Sequence, residues 1–128
     1  MIETAVPEGC ERLLIHGEIE LTCEGAGYLA GRKLQLLGVE GMTVGSEETT
    51  DQIHRTLLET GMVILENLDM SRPAPGQYVL VAAPLRMKGM DGSPVRAVLM
   101  EGENLQVTPK CESASECGSG RKLVLFDL

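Results

Sequence analysis

Three short apolar runs dominate the first half of the chain: 12–16 (RLLIH), 34–39 (LQLLGV) and 62–65 (MVIL). The run 34–39 has almost no polar alternation, which fits a strand covered on both faces. Between the first two runs lies a segment with helical spacing. Thr22 offers a side-chain oxygen for a helix start, and Ala26, Leu29 and Ala30 share one face of 25–33. Its three glycines make this a weak helix by propensity. Strand, helix and strand in so few residues predict a βαβ unit with a right-handed crossover. Before the third run, Thr50 or Asp51 is placed to cap a second helix. Its apolar stripe is Ile53, Leu57 and Leu58, and Gly61 is placed to end it.

The second half reads differently. Residues 66–76 (ENLDMSRPAPG) hold two prolines and a glycine and form a loop. The runs 78–85 (YVLVAAPL) and 95–100 (VRAVLM) are strands, joined as a hairpin with Asp91-Gly92 as the favoured turn pair. Asp91 and Arg96 are both read as structural. Residues 108–120 are polar, and 122–126 (KLVLF) is apolar enough for a last strand. The fold class is α/β, a mixed β-sheet of about six strands with two helices. A chain of 128 residues with no linker between apolar blocks is a single domain, 1–128.

Composition excludes several function classes. Tyr28, Tyr78 and Phe126 are the only aromatic residues, too few for a platform that stacks single-stranded nucleic acid. A net charge of -8 repels phosphate backbones and anionic lipid. Nucleic acid and membrane surfaces are therefore poor partners. No stretch approaches the ~18 apolar residues of a membrane span, and the N-terminus lacks a basic start followed by an apolar run. The expected localisation is cytoplasmic. Cys10, Cys23, Cys111 and Cys117 show no C-x2–4-C spacing, so reduced thiols are expected and a structural zinc site is not. Cys111 and Cys117 could close a small loop under oxidation.

Few residues offer chemistry. His16 ends the first apolar run and reads as a partly buried histidine bonded to backbone. His54 falls in the first turn of the second helix, one residue off its apolar stripe. Glu66 follows directly on the run 62–65, which places a carboxylate beside a buried strand end. Buried carboxylates need partners, and in open α/β sheets sites gather beyond the strand carboxyl ends. The helix, glycine turn and strand between His54 and Glu66 can bring both to one sheet edge. An imidazole and a carboxylate together suit zinc or manganese, although a catalytic zinc usually takes three protein donors. Gly25-Ala26-Gly27 is too short for a dinucleotide fingerprint, Gly38-Val39-Glu40-Gly41 is not a phosphate loop, and no G-x-S-x-G elbow occurs.

Three separated segments carry a family resemblance. They are 54–69 (HRTLLETGMVILENLD), 75–85 (PGQYVLVAAPL) and 85–97 (LRMKGMDGSPVRA). In this order they closely resemble the C-terminal half of the cyclase family, metal-dependent hydrolases that include bacterial kynurenine formamidase. The resemblance covers roughly 11–99 and leaves 100–128 as an unassigned C-terminal extension. It implies part of a swivelling three-layer β/β/α fold. It also implies hydrolysis of amides or esters by a metal-activated water, as in conversion of N-formylkynurenine to kynurenine and formate. The family's histidine and glutamate ligands, eleven residues between them, carry over onto His54 and Glu66, with zinc or manganese as the metal.

The chain departs from the family in one respect. The main metal motif, H-x-G-T-H-x-D-x-P-x-H, is absent, and His16-Gly17-Glu18 does not match it. The chain thus looks like half of such an enzyme. It is either one component of a split hydrolase, whose separate chain brings the missing motif, or a non-catalytic relic acting as a small oligomeric or regulatory protein. Alone it is expected to bind metal weakly or not at all. Apolar faces and strand edges at 34–39 and 62–65, normally covered in a whole enzyme, imply a homo-oligomer, most simply a dimer, with 122–126 available to cover an edge.

Overall fold

A computed structural model describes residues 6–101 and the backbone of Leu123–Phe126. The expected βαβ unit occurs twice in succession. β1 (Arg12–Ile15), α1 (Cys23–Gly31), β2 (Leu36–Val39), α2 (Thr50–Leu58) and β3 (Val63–Leu65) alternate along the chain. β1 pairs with β2 and β2 with β3, both in parallel. β6 (Leu123–Phe126) joins the free side of β1 in antiparallel sense, so the sheet is mixed, in the order β3-β2-β1-β6. Thr22 caps α1 as expected, its hydroxyl accepting from the Gly25 N–H at 3.1 Å.

β4 (Val79–Pro84) and β5 (Val95–Met100) form a separate antiparallel pair. The six strands and two helices are present, but they divide between two sheets. The loop after β3, stiffened by Pro73 and Pro75, carries the chain away from the first sheet. The hairpin then returns beneath it and buries Leu80 against Leu14, Leu36 and Leu65. The two helices cover the other face, where Leu13, Leu37, Leu29, Ile53 and Leu57 are fully buried. Both faces of β1 and β2 are therefore buried, which explains why their sequences are continuously apolar. β2 is interior and offers no edge. β3 is an edge strand among the described residues, with Val63 half exposed.

Three local readings are corrected. Leu58 is 52% exposed and does not belong to the buried stripe of α2, which is Ile53 and Leu57. A residue five positions after Ile53 has rotated too far around the helix to share its face. The cap of α2 is Thr49, one residue earlier than expected, and His54 opens the second turn rather than lying in the first. The connection between β4 and β5 is long, since Pro84 pairs with Val95. Its positive-φ turn residue is Gly89 (φ 76), while Asp91 lies in a bend with no hydrogen bond among the described residues. Asp91→Ala is accordingly expected to change stability by less than ~0.5 kcal/mol in urea unfolding, as for an ordinary surface site.

Tyr78 ties the loop to the hairpin. Its hydroxyl donates to the Ala74 carbonyl at 2.7 Å. Burial first, then a hydrogen bond and the negative charge of Glu101, raise its pKa above the ordinary tyrosine value. A raised pKa favours the fold below the ordinary tyrosine pKa, and that contribution fades as pH rises through the raised value. Tyr78→Phe should cost about 1 kcal/mol at neutral pH. The gap to wild type should close in strongly alkaline buffer, because only the wild type then ionises a buried phenol. Denaturant titrations of both proteins across that range check this.

Candidate functional site

Polar residues stand one position beyond the carboxyl ends of all three parallel strands. His16 follows β1, Glu40 follows β2 and Glu66 follows β3. The pleat sends them to different faces. Ile15 and Val39 pack on the helix side, so His16 and Glu40 face the opposite way. Leu65 packs on the hairpin side, so Glu66 faces the helices. The edge therefore bears two histidine–glutamate pairs, one on each face.

The first pair is His54 with Glu66. His54 Nε2 lies 3.0 Å from Glu66 Oε1, and both side chains are about seven-tenths buried. The sequence reading of these two residues as neighbours at one sheet edge agrees with this placement. The ring is held from behind. Its Nδ1 lies 2.8 Å from the Thr50 carbonyl one helical turn earlier and 3.1 Å from the Thr50 hydroxyl. That hydroxyl meets the Thr43 hydroxyl at 2.6 Å. On the other side Glu66 Oε1 accepts the Val44 backbone N–H at 3.1 Å. The loop 41–49 thus supports both members of the pair. Gly45 lets that loop close on α2, where a Cβ would meet Ile53 Cδ1 at 2.8 Å.

We assign the ring proton from this network. A carbonyl only accepts, so Nδ1 donates to Thr50 and a neutral ring turns the Nε2 lone pair toward Glu66. Two acceptors 3.0 Å apart repel each other. The geometry calls for a positive charge between them, either a second ring proton or a cation. Two donors each about 2.1 Å from one zinc lie roughly 3.0–3.4 Å apart, so the pair fits as part of a metal site. It is only part of one. Among the described residues no group of three or more His, Cys, Asp or Glu side chains converges.

The second pair is His16 with Glu40. His16 Nδ1 lies 3.2 Å from Glu40 Oε2, but off the axis a hydrogen bond needs, and this buried nitrogen has no hydrogen-bond partner among the described residues. Sequence reading placed His16 against backbone; its neighbour is this carboxylate. Glu40 accepts the Gly17 N–H on Oε2 and the Met70 N–H at 2.9 Å on Oε1, joining the segments beyond β1 and β3. Glu40, Thr43 and Thr50 join the site only in the folded structure. Glu40 carries the same signal as Glu66, a carboxylate directly after a buried run. The sequence offers Thr50 or Asp51 as a helix cap, whereas the Thr50 hydroxyl supports His54.

Beneath the sheet, a cleft of about 230 Å³ separates it from the hairpin, lined chiefly by Leu14, Leu68, Met70, Leu80 and Leu99, with Asp69 and Arg96. It lies on the face away from His54 and Glu66. Hydrogen bonds from the Ser71 hydroxyl and backbone N–H, with Arg72 adding to them, hold the Asp69 carboxyl below the ordinary range. Cys10 and Cys23 are free thiols. Cys111 and Cys117 lie outside the described residues.

The chain is similar to known proteins over much of its length. The chain is 36% identical to a kynurenine formamidase of Bacillus cereus over 105 residues, 72% of this chain and 50% of that protein. It is 42% identical to the kynurenine formamidase of Salinibacter ruber over 74 residues, 57% of this chain and 35% of the relative. The chain is a partial member of the cyclase family. A structure described as a predicted metal-dependent hydrolase from Bacillus stearothermophilus superposes with a TM-score of 0.59 at 30% identity, covering 66% of this chain and 41% of that one. A potential metal-dependent hydrolase with cyclase activity gives 0.58 at 28%, covering 64% and 41%. No protein-family model matches the sequence. The chain thus spans half or less of the length of these cyclase-family proteins. No described helix is long and apolar enough to cross a membrane.

Proposed function

We propose that the chain supplies part of the active site of a metal-dependent amide hydrolase of the arylformamidase type, acting in the cytoplasm. The substrate class is an N-formyl aromatic amine such as N-formylkynurenine. Water adds to the formyl carbon, the C–N bond breaks, the departing amine takes one of the water's protons, and formate leaves with release of the other. The observation that carries this reading is the His54–Glu66 pair, whose facing lone pairs require a cation or proton. Here His54 Nε2 and Glu66 would hold a divalent zinc or manganese ion. Such an ion lowers the pKa of bound water toward 7 and polarises the carbonyl. Thr50 fixes the ring tautomer, and the Val44 N–H fixes the carboxylate. The remaining donors would come from a polypeptide bearing H-x-G-T-H-x-D.

Ligand count favours a second reading, a non-catalytic relic. Two donors hold a metal poorly. One experiment separates the two. The chain is combined with a polypeptide bearing the motif, and metal content and formate release from N-formylkynurenine are both measured. Bound metal and turnover that vanish together in His54→Ala support the hydrolase. No metal and no turnover in the combined sample leave the relic.

A further inference from the structure

A single exposed apolar side chain is ordinary on a protein surface; where it stands decides whether it has a use. Met42 is 86% exposed, the most exposed large apolar side chain described. It stands on the loop that clasps the His54–Glu66 pair. On one side of it the Gly41 carbonyl accepts the Asn67 N–H at 2.8 Å, and on the other the Val44 N–H donates to Glu66 Oε1 at 3.1 Å. The loop is thus fastened to Glu66 and to the residue after it, with Met42 and Thr43 between the two fastenings. The turn is also tight, since a Cβ on Gly41 would lie 3.1 Å from the Thr43 carbonyl oxygen. Thr43 turns its hydroxyl inward to the Thr50 hydroxyl that supports His54. Val44 is buried, and its carbonyl accepts the Leu21 N–H at 2.9 Å. Of these three residues, Met42 is the one that gives its whole side chain to solvent. His54 and Glu66 keep about three-tenths of their side chains exposed, so a ligand can reach the pair.

We infer that Met42 is the apolar lip of the site and packs against the aryl ring of the substrate, which makes it a specificity-determining residue. The inference rests on the hydrolase reading. In an aryl formamide the ring is bonded to the nitrogen of the bond that breaks. A formyl group held at His54 and Glu66 therefore leaves the ring directly beside the reacting amide, at the rim where the loop 41–44 stands. A thioether on an unbranched side chain suits that place. It is polarisable, adapts to a flat face and makes favourable contacts with aromatic rings. The contact adds nothing for a formamide without a ring, so it selects aryl substrates through binding and not through the reacting atoms. The cleft beneath the sheet is the competing seat for an aromatic ring, since Leu14, Leu68, Leu80 and Leu99 line it. It lies on the opposite face of the sheet, so a ring bound there is turned away from His54 and Glu66.

Two measurements test it. The first uses the chain by itself, with its methionine methyls labelled with ¹³C. It is titrated with kynurenine, the aromatic amine released in the proposed reaction, to about 10 mM. Met42→Ser assigns the Met42 resonance. The Met42 methyl should shift under the ring current, while that of Met70, which lines the cleft, stays in place. A shift at Met70 without one at Met42, or no shift at either, overturns the inference. The second measurement uses the chain combined with the polypeptide bearing H-x-G-T-H-x-D. Met42→Ser should lower kcat/KM for N-formylkynurenine relative to that for N-methylformamide about two- to tenfold, by raising KM, with metal content unchanged. Met42→Leu keeps the apolar bulk and should recover most of that loss. An unaltered ratio, or an equal fall on both substrates, overturns the inference. A combined sample with neither metal nor turnover sinks the hydrolase reading alone, and the methyl titration still decides whether Met42 holds an aryl ring.

Discussion

Replacing Glu66 by glutamine should lower the affinity for zinc about a hundredfold or more in the assembly that holds the metal, beyond the 10- to 100-fold typical of outer-shell changes. The substitution keeps the side chain's shape and its bond from the Val44 N–H, yet removes the negative charge facing His54. Thr50→Val should cost about tenfold. It deletes the hydroxyl beside Nδ1 but leaves the Thr50 carbonyl, which holds the ring proton. The dialysed chain alone should retain well under one equivalent of zinc, since two protein donors are one fewer than a catalytic zinc site uses. Competition against a chromophoric chelator measures all three. Stoichiometric zinc in the isolated chain would point to donors from a second copy. An unchanged affinity in Glu66→Gln would place the metal elsewhere.

Why the site was half legible follows from the kind of signal each residue leaves. Glu66 was visible because a carboxylate after four apolar residues conflicts with burial, and such a conflict marks a site or a partner. His54 was visible through its distance from Glu66 along a helix, turn and strand. Glu40 makes the same conflict after 34–39, but flanked by Gly38 and Gly41 it looks like part of a turn. The support that Thr43 and Thr50 give His54 leaves no signal in the sequence. Their hydroxyls meet only because the loop 41–49 folds back over α2, and a threonine near a helix start looks like a cap whichever way it turns. The strands were legible because β1 and β2 are buried on both faces and carry unbroken apolar runs. Their division into two sheets was not. Alternation in β4 and β5 reports one buried face but not which sheet covers it. The hairpin is legible in its two apolar runs but its turn is not, because Asp91-Gly92 is favoured in short connections and this one is long.

Adding a single methyl group in Gly38→Ala should cost about 2 to 3 kcal/mol in urea unfolding. Gly38 lies inside β2, where alanine would ordinarily be preferred to glycine. Its Cβ position is already filled, with Leu14 Cδ2 at 2.1 Å and Leu68 Cδ1 at 2.8 Å. Leu14 is itself buried on the neighbouring strand, paired with Gly38 in the β1–β2 register, so it cannot swing into solvent. Relief must come from moving Leu68 and its loop, which the Val39 carbonyl and the Glu40 carboxylate hold through the Leu68 and Met70 N–H groups. The strain therefore passes to the carboxyl end of β2 and to the second histidine–glutamate pair. Leu14→Ala combined with Gly38→Ala should cost less than the sum of the two single losses, since the smaller residue vacates the space the new methyl needs. Independent, additive losses in the double variant would show that the two residues do not share that space.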